Sequence, residues 1–323
     1  MKQLLTPDKG FYKANLHCHT TISDGRFTPE EIKERYMEKG YSVVAYTDHG
    51  KLVTHDELTD ENFLALNGAE NAWVDQNYSV DKTDPLFQER KCSDHGLIAP
   101  KGMTELPKIP YPASTRAFTV KNINLARKTY MDAGIFLTHN HPQWSMETYN
   151  DYMSFETPNA IEIMNYGSFL SGADDHNERI YEDMLMAGKR LYCIATDDNH
   201  DKLGKPDAFG AWTVINAEKL EYDSVMDALF AGNFYSSEGP EIKELYIDDE
   251  NRLHITTSPA RNIRIMTATR TRFLAQNIDG TPVTGRSAKL TKNLGYFRVV
   301  VTDMRGKQAF TNAYFLEDLL EDL

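Results

Sequence analysis

Five times along this chain a short apolar run ends in a cluster of histidines and carboxylates, and that repetition limits how the chain can fold. Residues 15–25 read NLHCHTTISDG, 47–49 TDH, 68–70 GAE, 138–142 THNHP and 196–200 TDDNH. His17 and His19 are two residues apart, so on an extended strand both project to one side and can grip one ion while Cys18 turns away. A lone HxH is common on surface strands; its recurrence after successive predicted strands is the signal. Stretches of helical spacing separate the clusters, which predicts parallel βαβ units. Polar residues gathered at strand carboxyl ends are how a β/α barrel assembles its site, so the sequence predicts an α/β barrel through about Gly239.

Local signatures support the elements. Residues 11–16 read as the first strand, after which Thr28, Pro29 and Glu31 supply an N-cap, a first-turn proline and a capping-box glutamate for a helix that Gly40 ends. Short runs at 42–46, 63–66, 135–138, 160–164, 191–195 and 211–215 predict buried strands. Helical spacing of Ile123, Ala126, Tyr130 and Ala133, a helix over 174–187 with Ile180, Met184 and Leu185 inward, and another over 222–231 fill the intervals. Residues 75–118 are polar, rich in proline and hold one short apolar run at 96–99; they read as an excursion around one strand, a lid over the site. After Gly239–Pro240 the runs 242–247, 253–257, 263–267 and 296–302 alternate with short turns and no helical stretch, which predicts a small antiparallel β-sandwich. The expected division is a barrel of 1–239 and a small all-β domain of 240–323.

Charge narrows the partners. A net charge of −13 over 323 residues opposes binding of a phosphate polymer, so any phosphate site must be made locally by bound cations. The expected substrate is a small molecule rather than a nucleic-acid polymer. No apolar run approaches the roughly 20 residues of a membrane span and residues 1–10 lack the regions of a signal peptide, so a cytoplasmic protein with no membrane partner is expected. Cys18, Cys92 and Cys193 have no regular spacing and read as reduced thiols.

Imidazole nitrogen and carboxylate oxygen without thiolate suit divalent ions such as Zn²⁺, Mn²⁺ or Fe²⁺. Several such ions in one cleft are what in-line displacement at phosphorus needs. The series HCH, SDG, TDH, GAE, HNHP and DDNH, in this order, resembles the polymerase and histidinol phosphatase (PHP) family of metal-dependent phosphoesterases over about residues 11–239. The resemblance implies a distorted, TIM-like (β/α)7 barrel with two or three metal ions at the strand carboxyl ends. It implies that His17, His19, Glu70 and Asp198 hold one ion, that Glu70 bridges to a second helped by His141, and that Asp24, His49 and His200 hold a third. The attacking group would be a hydroxide bridging two metals, with His200 or Asp24 assisting departure of the leaving alcohol. One further family histidine is expected between the GAE and HP motifs, and His95 is the histidine available there, so it joins the expected ligands.

Neighbouring residues receive other roles. Asp48 and Asp197 read as strand-end supports beside His49 and Asp198, and His139 as a partner behind the ligands or a group touching substrate. Arg26 and Arg116 are candidate clamps for a substrate phosphate. His55, His176 and His254 fall in a polar loop, a helix and the second domain, where solvent-exposed structural roles are expected. The leading function is hydrolysis of a small-molecule phosphate ester, mono- or diester. An amidohydrolase-like C–N hydrolase on the same cluster and a non-enzymatic, metal-stabilised binding module are the alternatives. A structural cap or an oligomer contact is the role expected of the β-sandwich.

Overall fold

The computed structural model of the chain describes residues 1–75, 91–202 and 204–320. Its architecture is mixed α/β. An N-terminal strand β1 (Lys2–Leu5) is followed by β2 (Gly10–Asn15), β3 (Val43–Tyr46), β4 (Leu64–Val74), β5 (Cys92–Ile98), β6 (Phe136–Asn140), β7 (Ala160–Asn165) and β8 (Tyr192–Thr196). Strands β2 to β8 lie side by side in that order, and β9 (Trp212–Ala217) and β10 (Phe234–Ser237) extend the sheet from the other edge of β2. The β2–β3–β4 and β6–β7–β8 pairs are parallel, whereas β5 runs antiparallel to both neighbours.

The expected closed (β/α)7 barrel does not form: the sheet path ends at β8, and no ladder joins β8 to β2 among the described residues. The reason is edge occupancy. β2 pairs with β9 from Gly10 to Ala14, so β8 reaches β2 only beyond that ladder, where Asp198 N donates to His17 O at 3.0 Å and His19 N to Asn199 O at 3.1 Å. Thr213 Oγ1 of β9 bridges the remaining gap, accepting from Ala195 N and donating to Ala195 O.

β3, β5, β6 and β7 are buried along their whole length, as a sheet covered on both faces requires. On one face Ala14, Val43, Leu66, Phe136 and Ile194 pack with Val225 and Leu229 of a helix spanning Tyr222–Ala231. On the other face lie α1 (Pro29–Glu38), which packs Ile32 and Tyr36 on Val44 and Tyr46; α2 (Val120–Asp132); and a helix spanning Glu178–Met186. The capping box of α1 forms as its sequence dictates: Glu31 N donates to Thr28 Oγ1 and Thr28 N to Glu31 Oε2.

Residues 75–118 depart from the expected excursion. Of that segment 76–90 lie outside the described residues, and β5 is an integral strand between β4 and β6. The alternation of strand and helix fails here because no helix separates β4 from β5 among the described residues.

Beyond Gly239 the connectivity becomes antiparallel while the sheet continues. β11 (Ile242–Ile247), β12 (Arg252–Ala260) and β15 (Val283–Lys289) join β1 in a four-stranded sheet, and β13 (Asn262–Thr267), β14 (Phe273–Ala275), β16 (Tyr296–Thr302) and β17 (Gln308–Thr311) extend the large sheet from β10. Leu245, Ile247, Leu253 and Ile255 of the small sheet pack on Ile263, Ile265, Val299 and Val301 of the large one. β16 is buried on both faces, and from it Arg298 donates to Glu182 and Glu178 at 2.9 Å each, tying the β-rich part to the helix over Glu178–Met186. Among the described residues the three cysteines are unpaired and buried, and no helix is long and apolar enough to cross a membrane.

Candidate metal centre

The carboxyl ends of β2, β3, β4, β6 and β8 converge, and with them the clusters on which the sequence reading rested. His17 Nε2 lies 3.1 Å from His19 Nε2, 3.1 Å from Asp198 Oδ1 and 3.2 Å from Glu70 Oε1; His19 Nε2 lies 3.1 Å from Asp198 Oδ1 and 3.4 Å from Glu70 Oε2. Four ligand atoms about 2.0–2.2 Å from one tetrahedral ion would stand about 3.3–3.6 Å apart. Asp198 Oδ1, which His17 Nε2 and His19 Nε2 both face, is buried without a hydrogen-bond partner, so this cluster surrounds a point that its own side chains leave unsatisfied.

Two further groups share members with the first. His141 Nε2 lies 3.2 Å from Glu70 Oε1, and Asp94 completes a set with them; its Oδ1 is likewise buried without a partner. Asp24 Oδ1 lies 3.3 Å from His200 Nε2 and 3.5 Å from His49 Nε2, with His49 Nδ1 3.1 Å from Glu70 Oε2 and His19 completing the group. The buried donor sets fit divalent cations: nitrogen and oxygen only, several acidic groups in a low-dielectric space, and carboxylate oxygens of Asp198 and Asp94 left without a partner.

Electrostatics agree with that fit. Burial alone would depress the basicity of His17, but Asp198, Glu70 and Glu162 more than reverse it and hold the imidazole well above its ordinary range. Burial likewise opposes protonation of His141, yet the Glu70 hydrogen bond and nearby carboxylates push it up to about 10. His49 and His200 are raised for the same reason, against their own desolvation. With no cation, the carboxylates draw protons onto the imidazoles instead. Asp94 is pushed up to about 6 by burial first and by Glu70 second. Asp24 is held well below the usual carboxylate range by the His200 hydrogen bond and Lys202.

Supporting residues set the ligand orientations. Glu162, fully buried on β7, accepts from His17 Nδ1 and Thr196 Oγ1 through Oε1, and from His141 N and Asn165 Nδ2 through Oε2. It fixes the His17 proton on Nδ1, leaving Nε2 to face the centre. Asn140 Nδ2 donates to Glu70 Oε1 at 2.8 Å. Asp48 accepts from the backbone and hydroxyls of Thr20 and Ser23, holding the loop that carries Asp24. Asp197 accepts from Tyr36 and from the backbone of Phe209, Gly210 and Ala211, and takes no part in the centre. His141 and Asp198 both adopt positive φ, 23° and 51°, a conformation that non-glycine residues rarely hold without compensation elsewhere.

The structure brings His17, His19, Asp24, His49, Glu70, His141, Asp198 and His200 together, but not His95. Along β5 successive side chains alternate faces, so when Asp94 turns to the centre His95 turns to α2. There its Nε2 accepts from Arg127 Nε at 2.9 Å, and its ring lies 5.1 Å from Trp73 and 5.9 Å from His139. His139 shares that far side, its Nε2 2.8 Å from Glu147 Oε2, and so faces away from the substrate space. Arg26 and Arg116 are exposed, cross Phe27 and Trp73 respectively, and do not line the cavity over the centre. His55 is buried against Tyr46 rather than exposed, and His176 precedes the helix it was expected to join.

That cavity, about 690 Å³, is flanked by Trp144, Ser168, Lys202 and Lys205. Asp94, Glu162 and Asn140 are the participants that sequence reasoning missed. Glu162 had a signal, a charged residue inside the apolar run AIEIM, where burial demands partners.

No family model matches the chain. A stretch of 88 residues is 35% identical to the 5'-3' exoribonuclease Rnm of Escherichia coli, covering 23% of this chain and 30% of that protein. Another, of 42 residues, is 45% identical to the DNA polymerase/3'-5' exonuclease PolX of Bacillus subtilis, covering 13% of this chain and 7% of that protein. The chain thus matches less than a third of the length of either curated relative. Among solved structures it is similar to a two-domain protein of Bacteroides vulgatus containing a predicted PHP-like metal-dependent phosphoesterase, over 96% of this chain and 97% of that one, with 13% identity and a TM-score of 0.46.

Proposed function

We propose that this chain is a PHP-type phosphoesterase that hydrolyses a small phosphate ester with two or three divalent metal ions. The observation that carries the proposal is the set of overlapping ligand groups, linked through Glu70 and His19, in which imidazole nitrogens and carboxylate oxygens crowd together, with Asp198 Oδ1 and Asp94 Oδ1 buried and without partners. His17, His19, Glu70 and Asp198 would hold one ion, Glu70, Asp94 and His141 a second, and Asp24, His49 and His200 a third. Bound there, divalent ions supply a water acidified toward neutral pH and positive charge opposite the phosphoryl oxygens.

The side chains themselves do the rest. Glu162 and Asn140 orient His17 and Glu70. Lys202, whose Nζ donates to Asp24 Oδ2 at 2.8 Å, and Lys205 bring cationic charge to the cavity wall, a place the sequence reading had given to Arg26 and Arg116. Where only two ions bind, His200, its imidazole raised in basicity, is the better proton donor to a leaving alcohol than Asp24, which is held ionised. The exposed indole of Trp144, its ring edge-on to His141 at 4.9 Å, gives the cavity a flat apolar wall suited to a planar leaving group.

A second reading is favoured by the names of the curated relatives, both exonucleases: the ester would then be the terminal phosphodiester of a short oligonucleotide. The net charge of −13 opposes a long polymer. The test is hydrolysis of an aryl phosphate, nucleoside monophosphates, a short oligonucleotide and a cyclic amide, before and after chelation and metal return. Metal-dependent release of phosphate from monoesters, lost in His17→Ala and Asp198→Ala, is expected. Turnover of the cyclic amide alone, or phosphate release unchanged in both variants, overturns the proposal.

A further inference from the structure

Far along the chain from the metal ligands, the small sheet carries a second constellation of chemically active side chains. His254 on β12 faces Ser287 on β15 across the ladder, and the two are direct partners in register. Ser287 Oγ lies 2.9 Å from His254 Nδ1, and His254 Nε2 lies 2.7 Å from Asp248 Oδ2. Asp248 can only accept there, so Nε2 carries the imidazole proton and Nδ1 is left as a base directed at the serine hydroxyl. We propose that Ser287, His254 and Asp248 form a nucleophile–base–orienter triad that hydrolyses small carboxylic esters independently of the metal centre.

Three features distinguish this group from a chance surface contact. The carboxylate is fixed: Asp248 Oδ1 accepts from the backbone of Glu250 and Arg252 at 2.9 Å each, in the turn between β11 and β12, which leaves Oδ2 aimed at the ring. The imidazole plane is fixed as well, stacked on Tyr246 with centroids 4.7 Å apart and planes 11° from parallel. The nucleophile is accessible: Ser287 is exposed and borders an open cavity of about 630 Å³, with Leu274 and Val283 as an apolar wall and Asn277 and Arg286 as polar groups. Triads are recognised by roles and geometry rather than by chain order, and here the ring is used with its two nitrogens exchanged relative to the familiar serine hydrolases.

The chemistry closes without a further reactant except water. The Ser287 oxygen bonds to the ester carbonyl carbon as its proton passes to His254 Nδ1. The bond from carbon to the alcohol oxygen then breaks, and the departing alkoxide takes that proton from Nδ1. A water molecule repeats the sequence on the acyl-serine, releasing the carboxylic acid and restoring the hydroxyl. β15 ends its sheet, so N–H groups along it that face away from β12 lack a ladder partner. The cavity suits a short acyl chain, with Arg286 accommodating polar or anionic substituents.

The decisive experiment uses the full chain stripped of metal with a chelator, which silences the proposed phosphoesterase. It combines labelling by a fluorophosphonate, located by peptide mass spectrometry, with hydrolysis of p-nitrophenyl butyrate. Expected are one label on the peptide containing Ser287 and ester turnover that survives chelation. Ser287→Ala should abolish both, and Asp248→Asn and His254→Ala should each lower turnover about 100-fold or more. Ser287 is exposed, so its alanine variant keeps the fold, which circular dichroism verifies. Labelling elsewhere, no labelling, or ester turnover equal in the parent and Ser287→Ala overturns the proposal, whatever happens at the metal centre.

Discussion

Replacing Glu162 by glutamine changes one atom type at the base of the metal centre. Both carboxylate oxygens of Glu162 accept: Oε2 from His141 N at 2.7 Å and Asn165 Nδ2 at 2.9 Å, Oε1 from His17 Nδ1 and Thr196 Oγ1 at 2.7 Å each. The first two donors cannot reverse roles, so the glutamine must turn its oxygen to them and its NH₂ to His17 and Thr196. The threonine hydroxyl rotates and becomes an acceptor. His17 can follow only by accepting at Nδ1, which moves its proton to Nε2, the atom that lies 3.1 Å from His19 Nε2 and Asp198 Oδ1. The ligand lone pair is thereby occupied. Loss of such an orienting partner typically weakens metal binding by about 10- to 100-fold, and exchanging charge-assisted for neutral buried hydrogen bonds costs roughly 3 kcal/mol of folding stability. Titrating the metal-stripped Glu162→Gln protein with Zn²⁺ or Mn²⁺ in a calorimeter, alongside a urea melt, reads both. Metal affinity within twofold of the parent, in a folded variant, would refute the reasoning.

Three other outcomes follow from the same geometry. Asp94→Ala should reduce the bound metal, whereas His95→Gln, which alters only the side turned to Arg127, should leave metal content unchanged; elemental analysis of both variants checks the pair. Metal affinity should strengthen as pH rises from 6 to 8, because the folded-state basicity of His17 and His141 is raised, about 10 for His141, and binding must expel those protons; proton release measured in buffers of different ionisation enthalpy gives the count. Arg298→Met should cost about 3 kcal/mol in a urea melt, toward the lower end for breaking a buried ion pair, because Glu178 and Glu182 keep some contact with water.

Much of the barrel-like half was legible because short apolar runs, bounded by glycine and polar residues, have few other fates. The runs around β3, β6, β7 and β8 lie within a residue or two of their observed positions, and β11 and β16 match at both ends. β5 was legible only at its carboxyl end, where the apolar run 96–99 lies, and for a physical reason: Cys92–His95 bury polar residues on one face against the centre and on the other against Arg127, so no alternation marks the rest of the strand or its place inside the sheet. The same strand explains the choice between Asp94 and His95: adjacent residues point to opposite faces, and sequence alone does not fix which parity faces inward. Closure of the sheet was not readable either. The sheet stays open because β9 occupies the free edge of β2, a long-range pairing without a local signature. The triad on the small sheet was equally hidden, because His254 and Ser287 meet only through strand register.

The central claim is that side chains from five strand ends hold two or three divalent ions on which phosphate-ester hydrolysis depends. The most direct measurement is the metal-to-protein ratio, by plasma mass spectrometry, of the chain reconstituted with Zn²⁺ or Mn²⁺ and freed of excess ion. Two or three ions per chain are expected, with at least one fewer in His141→Ala. A parent protein that retains no divalent ion under these conditions contradicts the account.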